Sequence, residues 1–206
     1  NLEVIADSIS IAGPESSDDP FGSDFTGMST IAGPMGGKGG QLSITATDNL
    51  TLTNRSQIAT GSSGPGTGGN TEITTGRLEV NNGANIQSIA RGTGDASNIQ
   101  ISANQVRVSG VHPDPFVNDI TGDANLAPSA ITTQTIDKGG QAGDVIISAG
   151  VIEVTDGAVI DARTFGPADG GNIQFEAERV TIEGENADLR EFLINQGDSP
   201  FAARSS

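Results

Sequence analysis

Asp144-Val145-Ile146-Ile147-Ser148-Ala149, then Ile152-Glu153-Val154, then Ala158-Val159-Ile160-Asp161-Ala162 is the stretch that decides the fold. Its three apolar alternations are separated by Gly-bearing or polar breaks. Alternation with a period of two turns one row of side chains toward a core and the other toward solvent. The first phrase recurs at Asn98-Ile99-Gln100-Ile101-Ser102-Ala103 and at Asn172-Ile173-Gln174-Phe175-Glu176-Ala177. It recurs again from Asn1, Gln41 and Asn70. The anchors 1, 41, 70, 98, 144 and 172 are spaced by 40, 29, 28, 46 and 28 residues. The basic period is 28, and the two long intervals are one period plus an insertion.

The second alternation recurs as Leu50-Thr51-Leu52, Leu78-Glu79-Val80, Val106-Arg107-Val108 and Val180-Thr181-Ile182. The third recurs as Gln57-Ile58-Ala59, Ala84-Asn85-Ile86-Gln87-Ser88 and Ala130-Ile131-Thr132-Thr133. Strands this short cannot stand alone, but stacked on copies one period away they form parallel sheets with buried apolar rows. The period predicts an all-β fold, a parallel β-helix with three faces and about six coils of about 28 residues. An antiparallel sandwich would instead need tight hairpin turns throughout, and Asn82-Gly83 is one of few such signals. At about 4.8 Å per coil the stack is roughly 29 Å long.

Composition agrees. Ile and Val total 32 against 8 Leu, a ratio that suits pleated sheet and crowds a helix. Glycine makes up 29 of 206 residues, about twice the usual share. Gly39-Gly40, Gly68-Gly69, Ala142-Gly143 and Gly170-Gly171 each precede the first phrase. They are expected to supply positive φ at a sharp corner, beside a column of Asn or Asp able to bond between coils. Gly33-Pro34-Met35-Gly36-Gly37-Lys38-Gly39 lacks the spacing and the Ser or Thr of a phosphate-binding loop.

The net charge of −16 repels phosphate backbones and anionic membrane faces, which argues against nucleic-acid and membrane partners. Absence of Cys excludes disulfides, thiolate chemistry and Cys-based zinc sites. Absence of Trp and Tyr argues against an aromatic sugar-stacking platform, and His112 alone makes no His-rich metal centre.

Insertions are expected at about 13–28, 111–128 and 184–199, leaving the end of the second strand at Gly13, Gly110 and Gly184. Phe21, Phe25 and Phe116 in these segments are expected to fold back onto the helix face. Asp188 to Ile194 reads as a short helix with Leu189, Phe192 and Leu193 on one face. Both termini fall within the repeat, so residues 1–206 are expected to be one β-helix segment of a longer protein.

Ser129-Ala130-Ile131-Thr132-Thr133-Gln134-Thr135 followed by the run from Gly139 to Ala149 resembles repeats of filamentous-haemagglutinin-like exoproteins. The phrase from Ala158 to Ala162, leading to Gly171-Asn172-Ile173, extends the likeness over nearly the whole chain. That resemblance implies a right-handed β-helix, secretion by a two-partner route in a Gram-negative bacterium, an outer-membrane pore as partner, and adhesion at the cell surface. It specifies the fold well and the ligand poorly.

The alternative is a β-helical polysaccharide-degrading enzyme, a lyase or hydrolase, or an inactive relative of one; glycoside hydrolysis needs two carboxylates about 5 to 9.5 Å apart across a groove. In the third strand Asp161 is expected to stack over Ser88, which is not an acid. In the second, Glu79, Arg107 and Glu153 form an outward column that reads as a solvated charge ladder. Calcium prefers oxygen ligands, and Asp114, Asp119 and Asp123 share one insertion while Asp18, Asp19 and Asp24 share another. Neither set has the spacing of a known calcium loop, so both read as solubilising acidic loops. His112 beside Pro113 reads as an exposed loop residue. Asn49-Leu50-Thr51 and Asn54-Arg55-Ser56 match the glycosylation sequon but read as a turn and a strand edge. Thr51-Thr53 and Thr133-Thr135 have the pattern of an ice-binding face, yet do not recur in successive coils. No catalytic, cofactor or metal residue is assigned. The expected function is non-enzymatic: a rigid stalk whose loops bind glycans or proteins of host cells, neighbouring cells or matrix.

Overall fold

The repeat is realised as stacked parallel strands. The computed structural model describes residues 1–14, 26–114, 116–117, 124–136 and 140–184, and among them there are strands and no helix. The strands are β1 (Leu2–Ala12), β2 (Gly27–Ala32), β3 (Leu42–Thr53), β4 (Gln57–Ser62) and β5 (Thr71–Asn81). Next come β6 (Asn85–Ala90), β7 (Ile99–Ser109), β8 (Phe116–Val117) and β9 (Ala124–Asn125). The last are β10 (Ala130–Thr135), β11 (Val145–Thr155), β12 (Val159–Thr164) and β13 (Ile173–Ile182).

Long strands alternate with short ones. The long ones form a six-stranded parallel sheet in the order β1-β3-β5-β7-β11-β13, and the short ones a five-stranded sheet, β2-β4-β6-β10-β12. Leu2, Leu42, Thr71, Ile99, Val145 and Ile173 stand in register, reproducing the intervals in the sequence. Two parallel sheets built from one repeating path are compatible with a β-solenoid.

The break between the first and second alternations does not end a strand. The ladder runs through it, and the strand turns a corner by facing two successive residues away from the core. In β5 the buried row runs Thr71, Ile73, Thr75 and then shifts phase to Leu78 and Val80 across Gly76-Arg77. The shift recurs in β7 at Asn104-Gln105. In β3 one further residue bulges between Ala46 and Asn49, where the register shifts against β5. That bulge accounts for the 29-residue interval in an otherwise 28-residue period.

Inward rows of both sheets merge into one core. Its columns run Ile44–Ile73–Ile101–Ile147, Leu50–Leu78–Val106–Ile152 and Ile58–Ile86–Ile131. Burying such a side chain contributes about 1.5–3 kcal/mol, and each stacks on a near-identical partner above and below. The short strands add a column of inward hydroxyls, Thr30, Thr60, Ser88 and Thr133. Thr30 and Thr133 donate to the Gly40 and Gly143 carbonyls, Thr60 bonds the Thr71 hydroxyl, and Ser88 Oγ accepts the Ser97 N–H at 2.8 Å. These hydroxyls satisfy backbone that the corner withdraws from water. Thr133→Val keeps the shape and strands the Gly143 carbonyl, so we expect it to lose about 1–3 kcal/mol in urea unfolding while Thr133→Ser loses less. Thr133 and Thr135 are fully buried, so no ice-binding face is formed there.

The glycine pairs act differently from the sequence expectation. Positive φ falls elsewhere, and Gly40, Gly69, Gly143 and Gly171 are instead sites of close approach between stacked backbones. A Cβ on Gly171 would stand 2.6 Å from the Gly143 carbonyl carbon. The Asn/Asp column is present as expected. Asn1 Oδ1 accepts the Gln41 N–H at 2.9 Å, Asn98 Oδ1 that of Asp144 at 2.8 Å, and Asp144 Oδ1 that of Asn172 at 2.7 Å.

Two registers are corrected. Asp161 stands beside Thr132 and, one strand further, Gln87; Ser88 belongs to the neighbouring inward column. Gly27–Ala32 is the first short strand, so the first insertion gives way to sheet at residue 27. The helix expected from Asp188 to Ile194 lies outside the described residues.

Candidate functional site

β3, β5 and β11 each hand over to a short strand at one corner, and there the backbone turns left-handed. Asn54 and Arg55 have φ of 55° and 58°, Asn82 and Gly83 of 53° and 77°, and Asp156 and Gly157 of 56° and 81°. Asn, Asp and Gly adopt this region at least cost. Arg55 is the exception, and its side chain is held by one bond, from the guanidinium to the Asp114 carbonyl, while its Nε is buried without a hydrogen-bond partner among the described residues.

All three expected branch points sit on this corner. Gly13 N–H bonds Thr53 O at 3.1 Å, Gly110 N–H bonds Thr155 O at 3.2 Å, and Glu183, just before Gly184, bonds Val154 O at 2.9 Å. The described limbs of the second insertion pair antiparallel, as an arm. Val111 bridges Pro128, His112 N–H bonds Ala127 O at 2.8 Å, and β8 pairs β9. Its base is pinned by Ser129, whose hydroxyl donates to Ser109 O at 2.7 Å and accepts the Gly83 N–H at 3.0 Å. Of the insertion aromatics, Phe21 and Phe25 lie outside the described residues, and of Phe116 only the backbone is described.

His112 is not an exposed loop residue: it is 1% exposed. It packs where Gly83 has no side chain, since a Cβ there would stand 2.7 Å from His112 Cβ and 2.9 Å from Ala127 O. The spatial neighbour that buries His112 is 29 residues upstream, and no local pattern announces it.

Beside the arm, the outer face of the short-strand sheet forms a shallow groove of about 300 Å³ walled by Ala127 and Pro128. Its floor presents Gln87, Thr132, Gln134, Asp161 and Arg163, one repeat after another. The Thr132 hydroxyl donates to the Asp161 carboxylate, Arg163 pairs with Asp161 at 3.3 Å, and Gln87 Nε2 donates to Gln57 Oε1 at 2.8 Å. Arg163 also lies 5.2 Å from the centre of the Phe165 ring, which is largely exposed. Amide, hydroxyl, carboxylate and guanidinium in a row can hydrogen-bond a hydroxyl-rich chain. Asp161 is the one carboxylate among the described residues lining the groove, whereas acid–base hydrolysis of a glycoside needs two.

A second depression, of about 450 Å³, follows the Asn/Asp ladder and is lined by Asp95, Asn98, Asp144, Asp169 and Asn172. Two of its carboxylates already accept backbone bonds, Asp95 from Gln141 at 2.9 Å and Asp144 from Asn172. Among the described residues no group of three or more His, Asp or Glu is placed to hold a metal ion. Asp114 is exposed, and Asp18, Asp19, Asp24, Asp119 and Asp123 lie outside the described residues. Glu79, Arg107 and Glu153 stand in one column as expected, but the ion pair that Glu79 makes is with Arg77, at 2.9 Å. The two sequons are placed the other way round from the expectation: Asn49 lies within β3 and Asn54 sits in the corner turn.

Comparison of the chain with protein-family models, with curated proteins and with solved structures finds no match in any of the three.

Proposed function

We propose that the chain is a right-handed parallel β-helix of about six coils from a secreted or cell-surface exoprotein of a Gram-negative bacterium. It resembles the filamentous-haemagglutinin-like class in its repeat phrases, and by that resemblance an outer-membrane pore is its secretion partner. The stack is a rigid, non-enzymatic stalk, and the insertions on one corner, with the groove beside them, are its adhesive surface. One observation supports this reading: Gly13, Gly110 and Glu183, where the insertions are expected to leave, bond at one corner, and the described arm walls a groove of mixed hydrogen-bonding groups. Insertions on a rigid scaffold are where binding concentrates.

The groove's own charges cancel, Asp161 against Arg163, within a chain of net charge −16. A neutral glycan of cells or matrix fits that balance better than a polyanionic one. Replacing residues 111–128 by a short Gly-Ser link is expected to abolish co-pelleting with neutral polysaccharide. Unchanged co-pelleting overturns the assignment of the insertion, and new reducing ends in the polysaccharide overturn the non-enzymatic reading.

A further inference from the structure

We propose that the seat of the second insertion is a pH latch: neutral His112 holds residues 110–114 on the corner, and protonated His112 releases them. The inference needs no ligand, so it stands or falls apart from the adhesive reading.

The Asp114 N–H donates to His112 Nδ1 at 3.2 Å, so that nitrogen carries no proton. A protonated imidazole is a donor at both nitrogens. Protonation therefore sets N–H against N–H and places a cation in a site that is 1% exposed. Among the described residues, four elements lie against His112. From the β3–β4 turn comes Arg55, whose positive charge repels a second one. The β5–β6 turn contributes Gly83, and the returning limb Ala127, neither of them charged. From its own segment comes Asp114, whose backbone hydrogen bond and, less strongly, whose carboxylate favour the cation. Burial is the largest effect and the Arg55 charge the next; together they outweigh Asp114 and push the histidine below its ordinary value of 6.5.

A histidine pushed down in the seated state binds fewer protons there than when released. The seat is then fully stable above 6.5 and weakens as pH falls below that value. One proton changes the opening equilibrium by at most about tenfold per pH unit.

His112 is the sole histidine of the chain, so its imidazole signal in proton NMR is unambiguous. Amide hydrogen exchange, corrected for intrinsic rates, reads the seat directly at His112 and Ser129, whose N–H groups bond Ala127 O and Gly110 O. Between about pH 7.5 and pH 5, the range in which histidine titrates, protection of these two amides should fall roughly tenfold while Val106 in β7 stays unchanged. His112→Gln, which offers Asp114 an amide oxygen without a charge, should flatten the response, and Arg55→Gln should shrink it. Flat protection in the natural protein overturns the latch, as does an equal fall in His112→Gln. Should that variant fail to fold, the natural protein decides: an imidazole midpoint at or above 6.5 overturns it.

Discussion

Gly69→Ala should lower stability by about 3 kcal/mol, whereas Gly33→Ala should leave it within about 0.5 kcal/mol. At Gly33 an added Cβ meets nothing within 4 Å. At Gly69 it would stand 2.7 Å from Gln41 N and closer still to the Gly40 carbonyl. Both neighbours are backbone leading into β3, and Leu42 N–H bonds Asn70 O at 2.9 Å immediately beyond. Such atoms cannot turn aside as the end of a flexible side chain would. The methyl group must push adjacent repeats apart at the point where their ladder begins. Urea unfolding followed by far-ultraviolet circular dichroism compares the two variants. Equal midpoints would overturn the close approach of stacked backbones as the reason for glycine at this step.

Why the sequence suggests backbone freedom instead is instructive. Glycine serves both a left-handed backbone and a backbone that another chain must touch, and the letter does not distinguish them. What distinguishes them is the residue one period away, which is a spatial neighbour only after the repeat has stacked. The same holds for His112: its burial depends on a missing side chain at Gly83, and its neighbours in sequence, Pro113 and Asp114, are exposed. The corner inside the long strands was likewise hidden. A pair of outward residues looks like a strand break in one dimension, while the ladder of backbone hydrogen bonds continues through it. The period itself was legible, because every coil repeats the same inward letters. So was the Asn/Asp ladder, because a side chain that bonds its own copy must recur at the same step. The groove was not legible: Gln87 and Thr132 are separated by the second insertion and Thr132 and Asp161 by 29 residues rather than the period of 28, and reading Asp161 over Ser88 missed their alignment by one residue.

That one-residue error marks the measurement that tests the alternation itself. Ile146 and Ile147 are adjacent in β11, identical in chemistry, and assigned to opposite faces. Ile147 is fully buried in the column of Ile44, Ile73 and Ile101. Ile146 stands in the outward column of Ser43, Glu72, Gln100 and Gln174. Ile147→Ala should lose about 3–4 kcal/mol, the transfer of its side chain plus a cavity between flanking strands that cannot collapse without breaking register. Ile146→Ala should lose about 1 kcal/mol or less, since its row is half solvated. Because each repeat touches chiefly its neighbours, the Ile147 loss should show first as faster amide exchange in β7 and β13 and only weakly in β3. A reversed order of the two losses would mean that the strand is slipped by one residue, which turns every side chain to the other face. Equal exchange throughout the sheet would mean that the stack unfolds as one cooperative body, with its stiffness spread along the whole length rather than held repeat by repeat.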